Sequence, residues 1–236
     1  MAGMAVTQLE RPVYGTAEVD RLLALKSGTA QRWIDGYRRD RRAYPPVVRD
    51  VPTGDGLVTW GEFIECRFLA QYRSAGVPLV RMRPVVQRLR DELGVRYPLA
   101  HKKLFVAGRE LVEMVQREID LEPELAIVVR TGQVVLANGA GDLHLGWAPL
   151  AQRFLDSVEW DDGGIDPVVA RIRPSEKFPS VVIDPARSFG APTVRGVRTE
   201  VIAEEVSAGD SPDLVARNYE LSREQVDDAV GFEQAA

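Results

Sequence analysis

The sequence predicts an α+β protein, mainly α, on three observations. Apolar residues recur at helical spacing around glycine turns near each end of the chain. Short β-prone runs flank turn residues between those ends. The 236 residues, 45% hydrophobic and 28% charged, have ordinary globular composition and can bury a core. The expected architecture is a winged helix-turn-helix unit over residues 12–96, a small β-rich connecting segment over 97–180, and a tri-helical helix-turn-helix unit over 181–236.

In the first unit, Thr16 is expected to cap a short helix with Glu18 and Asp20 in its first turn, where the helix dipole favours acids. Ala17, Val19, Leu22 and Leu23 give its apolar side, and it should end near Leu25. Lys26-Ser27-Gly28 is a turn, and Thr29 caps a second helix. There Ala30, Trp33, Ile34 and Tyr37 should face inward, and Gln31, Arg32, Asp35, Arg38 and Arg39 outward. Two short helices on a glycine turn are the sequence form of a helix-turn-helix. Arg41 and Arg42 follow, and Tyr44-Pro45-Pro46 stops the helix. Val47 to Val51 and Leu57 to Trp60 flank Thr53-Gly54-Asp55-Gly56 and read as the wing hairpin. A helix is expected from Thr59 to Ser74, with Cys66 as a core thiol, and another from Pro84 to Leu93, closed by Gly94.

In the middle segment, hairpins are expected over Leu104–Ala107 with Leu111–Val115 and over Leu125–Val129 with Val134–Ala137. A helix over Pro149–Leu155 and a strand over Val168–Ile172 complete it. Near the end, helix signals come from Val201, Ile202 and Val206 before Gly209, from Ser211-Pro212, and from the capping-box pair Ser222 and Gln225.

The net charge of −5 is unevenly spread. Residues 21–103 sum to +9, residues 104–198 to −4 and residues 199–236 to −8. A basic first half is the electrostatic footprint of a polyanionic partner such as DNA, and the acidic end is not. Thr29, Gln31, Arg32, Arg38 and Arg39 are expected in the major groove, with Arg41 and Arg42 on phosphate. A short recognition helix reads few bases, so a homodimer on paired half-sites is expected.

No catalytic, cofactor or metal constellation is expected. His101 and His144 have no ligand-type partners at metal-site spacing, and His144 near Asp142 is better read as a solvated pair. Asn138-Gly139-Ala140-Gly141 lacks the remaining residues of a phosphate loop. Asp161, Asp162 and Asp166, with Gly163 and Gly164, read as an exposed loop. No apolar run is long enough to span a bilayer, and Met1 to Arg11 lack a secretory pattern, so a cytoplasmic location is expected.

Two family resemblances sharpen this reading. Tyr14, Leu22, Leu23, Gly28, Thr29, Trp33, Gly36, Tyr37 and Pro46 give residues 14–60 a likeness to the winged DNA-binding domain of the MerR superfamily. Ile183-Asp184-Pro185, Gly190-Ala191-Pro192, Gly196-Val197-Arg198 and Ala208-Gly209-Asp210-Ser211 resemble the DUF433-type signature, with Val197 where that family usually has threonine. The combination is similar to VapB antitoxins. The resemblance implies an operator-binding antitoxin, not an enzyme, whose partner is a toxin of the PIN-like RNase fold. The alternative is a stand-alone MerR-like transcriptional regulator whose C-terminal unit serves oligomerisation. The acidic outer side of the last helix, with Arg223, Glu224, Asp227 and Asp228, assigns DNA contact to the first unit and protein contact to the second.

Overall fold

A computed structural model describes residues 8–74, 79–102, 126–130, 133–137, 149–161, 163 and 166–235. The chain is α+β and mainly α, as the sequence predicts. Strand β1 (Pro12–Gly15) pairs antiparallel with β4 (Leu57–Thr59), and the segment between them is the helix-turn-helix and its wing. Helices α1 (Thr16–Leu22) and α2 (Thr29–Asp35) are each seven residues long. The hairpin β2 (Tyr37–Arg39) and β3 (Arg42–Tyr44) follows directly.

Helix α3 (Trp60–Ser74) is the centre of this half. Eleven of its fifteen residues are buried, on all sides, as a helix surrounded by other elements requires. Helix α4 (Leu79–Leu93) packs beside it and contains Pro84 within it, not at its start as the sequence predicts. Gly94 follows in the left-handed region at φ 63°, as expected of a helix end. Cys66 is fully buried.

Several expectations for the first unit are corrected. Gly15 and Gly28, not Thr16 and Thr29, occupy the N-cap positions, and α1 stops at Leu22. Helix α2 stops at Asp35 because Gly36 leaves helical space at φ 72°, ψ −171°. Tyr37, Arg38 and Arg39 are therefore strand residues, and Tyr37 is 42% exposed instead of inward-facing. The wing lies one segment earlier than expected. Asp40 and Arg41, at φ 49° and 63°, form the two-residue turn with both centres left-handed that closes a twisted hairpin. Residues 47–51 are irregular, and Leu57–Thr59 pairs with β1, so no hairpin surrounds Thr53–Gly56.

In the middle segment, β5 (Ala126–Arg130) and β6 (Gln133–Ala137) form the expected hairpin. The one expected over 104–115 lies outside the described residues. Helix α5 (Pro149–Ser157) leads into β7 (Val158–Asp161), which pairs with the expected strand β8 (Val168–Ile172). Strands β9 (Val182–Ile183), β10 (Pro192–Val194) and β11 (Val197–Arg198) extend that pair into one antiparallel sheet of order β11-β10-β9-β8-β7. The sheet runs across the expected boundary at 180/181.

Helices α6 (Thr199–Ala208), α7 (Pro212–Asn218) and α8 (Arg223–Ala235) pack as a tri-helical unit. Its signals are those read from sequence. Gly209 ends α6 at φ 112°, and the Ser211 hydroxyl accepts from the Leu214 amide at 3.3 Å. Ser222 and Gln225 form a reciprocal capping box at 2.9 and 3.2 Å.

The three segments share a hydrophobic core. The Trp60 indole donates to the Val169 carbonyl at 2.8 Å, and Gln8 Nε2 to Ala170 O at 3.1 Å. Arg11 donates to Pro185 O at 2.8 Å, the Tyr14 hydroxyl to Gly190 O at 2.7 Å, and Arg21 pairs with Glu233 at 3.1 Å. Phe68 of α3 meets Phe154 of α5 edge-on, with centroids 5.1 Å apart.

Candidate nucleic-acid interface

Helix α2 is fixed from below by a side chain that sequence reasoning placed only in a first turn. The Asp20 carboxylate, 5% exposed, accepts from the Gly28 amide at 2.6 Å and the Ala30 amide at 2.7 Å. It thus satisfies donors at the start of α2 that Thr29 was expected to satisfy. A carboxylate eight residues before a Gly-Thr turn was the available signal.

This anchoring buries most of α2. Thr29 is 5% exposed, so its side chain faces the core, not an outer groove. Ala30, Trp33 and Ile34 are buried as expected, but so is Asp35. Of the expected reading residues on α2, Arg32 is exposed and Gln31 half-buried, with Gln31 Nε2 donating to Asp35 at 3.0 Å. Lys26 and Ser27 are exposed in the turn ahead of them.

The other expected contacts, Arg38, Arg39, Arg41 and Arg42, all lie on the wing and are exposed. Arg39 makes a 3.4 Å pair with Asp40, both largely in solvent and hence weak. Arg38, Arg41 and Arg42 have no ion-pair partner among the described residues. At the wing base the Tyr37 and Tyr44 rings, which are register partners, stack at 4.6 Å and 6°. The Arg32 guanidinium lies 5.8 Å over Tyr37, and that of Arg42 lies 5.5 Å over Tyr44. Cation–aromatic stacking restrains both guanidinium groups without neutralising them.

Behind the wing, residues 45–57 are clamped by buried charge. The Val47 and Val48 amides donate to Trp33 O at 2.8 and 3.0 Å. Arg49, 9% exposed, pairs with Asp35 at 2.9 Å and Glu62 at 2.7 Å, and donates to the Leu57 carbonyl at 2.7 Å. Desolvation pushes the Asp35 carboxyl up, but the Thr53 amide and Arg49 outweigh it and hold it below its ordinary value. Arg90 pairs with Asp50 at 2.9 Å and with buried Glu65 at 3.0 Å, and also donates to the Val48 carbonyl. Burial pushes the Glu65 carboxyl up to about 8 against the pull of Arg90. Sequence reasoning missed this network because a helical pattern that is buried on every side shows no polar face on which to expect Glu62 and Glu65.

The C-terminal motif residues are mainly structural. Asp184 accepts from the Ala186 amide at 2.8 Å, while Pro185 is buried. Gly190, at φ 80°, lies against Val13 and Tyr14, where a Cβ would stand 2.9 Å from the Tyr14 hydroxyl. Pro192 opens β10, a strand position that tolerates its missing donor. Gly196 follows Arg195 in a left-handed hairpin turn, and Arg198 is exposed next to Glu200 at 3.9 Å. On α8, Arg223 is held by Asp213 at 3.2 Å and Asp227 at 3.0 Å, Glu224 is exposed, and Asp228 accepts from the Ser180 amide at 2.9 Å. The outer side of α8 is acidic, and its one arginine is committed to carboxylates.

His101 is buried, bridging antiparallel to Val168. The Asp161 carboxylate accepts from Gly163, and Asp166 is exposed. Asp142, His144, Asp162, Gly164 and the 138–141 turn lie outside the described residues. Among the described residues no three His, Cys, Asp or Glu side chains gather as a metal site, and no helix is long and apolar enough to cross a membrane.

Comparison with known proteins matches residues 12–86 to a family described as "Putative DNA-binding HTH domain" and residues 181–232 to "Protein of unknown function (DUF433)". The chain is similar, at 29% identity over 93% of its length and 92% of the relative's, to a Mycobacterium tuberculosis protein named "Putative antitoxin VapB45". The crystal structure of Rv2018 from the same organism has a TM-score of 0.71 at 26% identity, covering 94% of this chain and 99% of that one. "Uncharacterized protein Rv2308" of M. tuberculosis is 38% identical over 98% of this chain and 94% of its own length. With that identity over nearly the whole length of both proteins, the chain belongs to the same family as Rv2308.

Proposed function

We propose that the chain is a DNA-binding antitoxin that contacts its own operator through the wing and Arg32 and covers a PIN-like RNase toxin through other surfaces. The observation that carries the DNA half is the wing itself. Arg38, Arg41 and Arg42 project into solvent with no ion-pair partner among the described residues, whereas the buried Arg49 and Arg90 behind them are paired with carboxylates. Unpaired guanidinium groups on an exposed hairpin suit phosphate, to which they cost no competing ion pair. The similarity to a protein named as an antitoxin supports the toxin half. The acidic α8 surface favours a protein partner there over phosphate. Operator binding as a homodimer, a transcription-regulating role and the absence of catalysis belong to the same reading.

The test replaces Arg38, Arg39, Arg41 and Arg42 with alanine and follows binding to the DNA upstream of the reading frame by fluorescence anisotropy at several salt concentrations. For every phosphate that the variant no longer neutralises, the log–log salt slope should flatten by roughly 0.9. An unchanged slope and affinity remove the wing from the interface. Co-purification with the product of a neighbouring PIN-like reading frame, with loss of its RNA cleavage, tests the toxin half. If the chain binds DNA but no such partner, a stand-alone regulator remains.

A further inference from the structure

Between the wing base, α2, the C-terminal end of α3 and the start of α4 lies a groove lined by cations and aromatic rings. Arg32, Arg73 and Arg83 line it together with Trp33, Tyr37 and Tyr44, and among the described residues no acidic one does. None of the three arginines has an ion-pair partner among the described residues. Each is nevertheless placed: Arg32 lies 5.8 Å over Tyr37, Arg73 lies 5.7 Å over Trp33, and Arg83 donates twice to Pro46 O at 2.6 and 2.7 Å.

The walls are as fixed as the cations. Trp33 is 3% exposed, and its carbonyl holds the Val47 and Val48 amides. Gly36 joins α2 to the wing at φ 72°, and a Cβ there would run into the Tyr44 carbonyl, so the hairpin is seated tightly on the helix. Desolvation alone acts on the Arg83 guanidinium and lowers its pKa, with no carboxylate to offset it. Three positive charges sharing a groove without an anion repel one another, and an anion bound among them removes that cost.

We propose that this groove is a binding site for a free mononucleotide, its phosphate held by Arg73 and Arg83 and its base stacked on the exposed Arg32 guanidinium, which is itself seated over Tyr37. A phosphate monoester carries close to two negative charges and accepts bidentate guanidinium bonds. A planar base suits the outer face of a guanidinium that is itself stacked on a ring. Arg32 of α2 and Tyr37 at the wing base line the groove and also belong to the proposed DNA surface, so occupancy of the groove competes with DNA there. That last clause rests on the DNA-binding reading above; the binding site does not.

The test uses the full chain without DNA. AMP, GMP, CMP and UMP are titrated by isothermal calorimetry, alongside adenosine and inorganic phosphate. At least one mononucleotide should saturate the chain, at least tenfold tighter than adenosine or phosphate. Arg73→Gln, on the exposed end of α3, should weaken it at least tenfold with an unchanged melting temperature, and Arg83→Gln should weaken it at least tenfold as well, with a lower melting temperature from the lost Pro46 contact. No saturation by any of the four mononucleotides overturns the site, and so does equal binding by phosphate alone. Unchanged affinity in both variants also overturns it. If a mononucleotide binds but leaves DNA affinity unchanged in a separate anisotropy measurement, the site stands and its coupling to the wing falls. If Arg73→Gln and Arg83→Gln weaken only DNA binding, the groove is a phosphodiester contact and the proposal fails.

Discussion

Arg49→Ala is the sharpest perturbation of the platform that carries the wing. Arg49 stands between two carboxylates, at 2.9 Å from Asp35 and 2.7 Å from Glu62, with all three side chains at most 8% exposed. Removing the cation leaves two buried acids facing a void. Breaking a buried pair by deleting one partner costs about 3–5 kcal/mol, because the desolvation already incurred is no longer offset. For a chain of this size that corresponds to a melting temperature lower by roughly 6–20 °C. Asp35 sets the pH dependence. Its folded pKa lies below the unfolded value, so the parent holds this stability above about pH 4 and loses it as pH falls through the folded pKa. Without Arg49, two of the interactions that hold the Asp35 carboxyl down are gone while its desolvation remains, so its pKa rises. The gap between variant and parent should therefore be wide at pH 7 and narrow toward pH 4. Urea denaturation followed by tryptophan fluorescence at both pH values measures it. A gap under about 1 kcal/mol at pH 7, or one that widens on acidification, would refute the reasoning.

Two further perturbations separate space from backbone strain and titration from packing. Gly190→Ala and Gly196→Ala both place a side chain at positive φ, 80° and 89°, but only the first meets Val13 and Tyr14. Gly190→Ala should cost about 2–4 kcal/mol and Gly196→Ala about 1–2 in urea denaturation, and equal costs would sink the packing argument. Glu65, with its folded pKa near 8 and above its unfolded value, makes stability fall as pH rises from about 4.5 to 8. Glu65→Gln should flatten that fall, and a melting-temperature profile parallel to the parent's would contradict it.

What was legible in the sequence follows a physical line. The C-terminal helices were readable because Gly209, Ser211-Pro212 and Ser222/Gln225 are local devices acting within three or four residues. Helix α3 was readable from its apolar density. The wing was misplaced because Tyr37 continues the helical spacing of Ala30, Trp33 and Ile34, and Gly36 stops α2 only through a conformation that its neighbours do not announce. Asp20, Arg49 and Glu65 act across eight or more residues, and such partners become visible only once the chain is folded. The basic character of the first unit was legible as segment charge, but most of the exposed arginines next to α2 stand on the hairpin and not on the helix.

The way the segments are joined changes how a division of labour can be tested. A tri-helical end that folded alone could be cut free and assayed apart from the wing. Here the sheet beneath α6–α8 includes β7 and β8 from the middle segment, and the loop between β9 and β10 accepts from Tyr14 of β1 and from Arg11 just before it. Trp60 of α3, fully buried, donates its indole N–H to Val169 of β8. A fragment ending near residue 100 would expose Trp60 and leave that donor unpaired, and one beginning near 175 would strip β9 of its neighbour. Failure of either fragment to bind would then report unfolding and not function. Charge changes within the intact chain avoid this: the wing arginines are exposed, as are Asp213, Glu224 and Asp227 on the other unit, so both faces can be altered with the core untouched. If the proposed assignment holds, neutralising the wing should abolish DNA binding and spare the toxin. Replacing Asp213, Glu224 and Asp227 by asparagine or glutamine should weaken the toxin complex and leave DNA affinity unchanged. The opposite pattern in the same two assays would reverse the assignment, because neither set of substitutions touches the shared core.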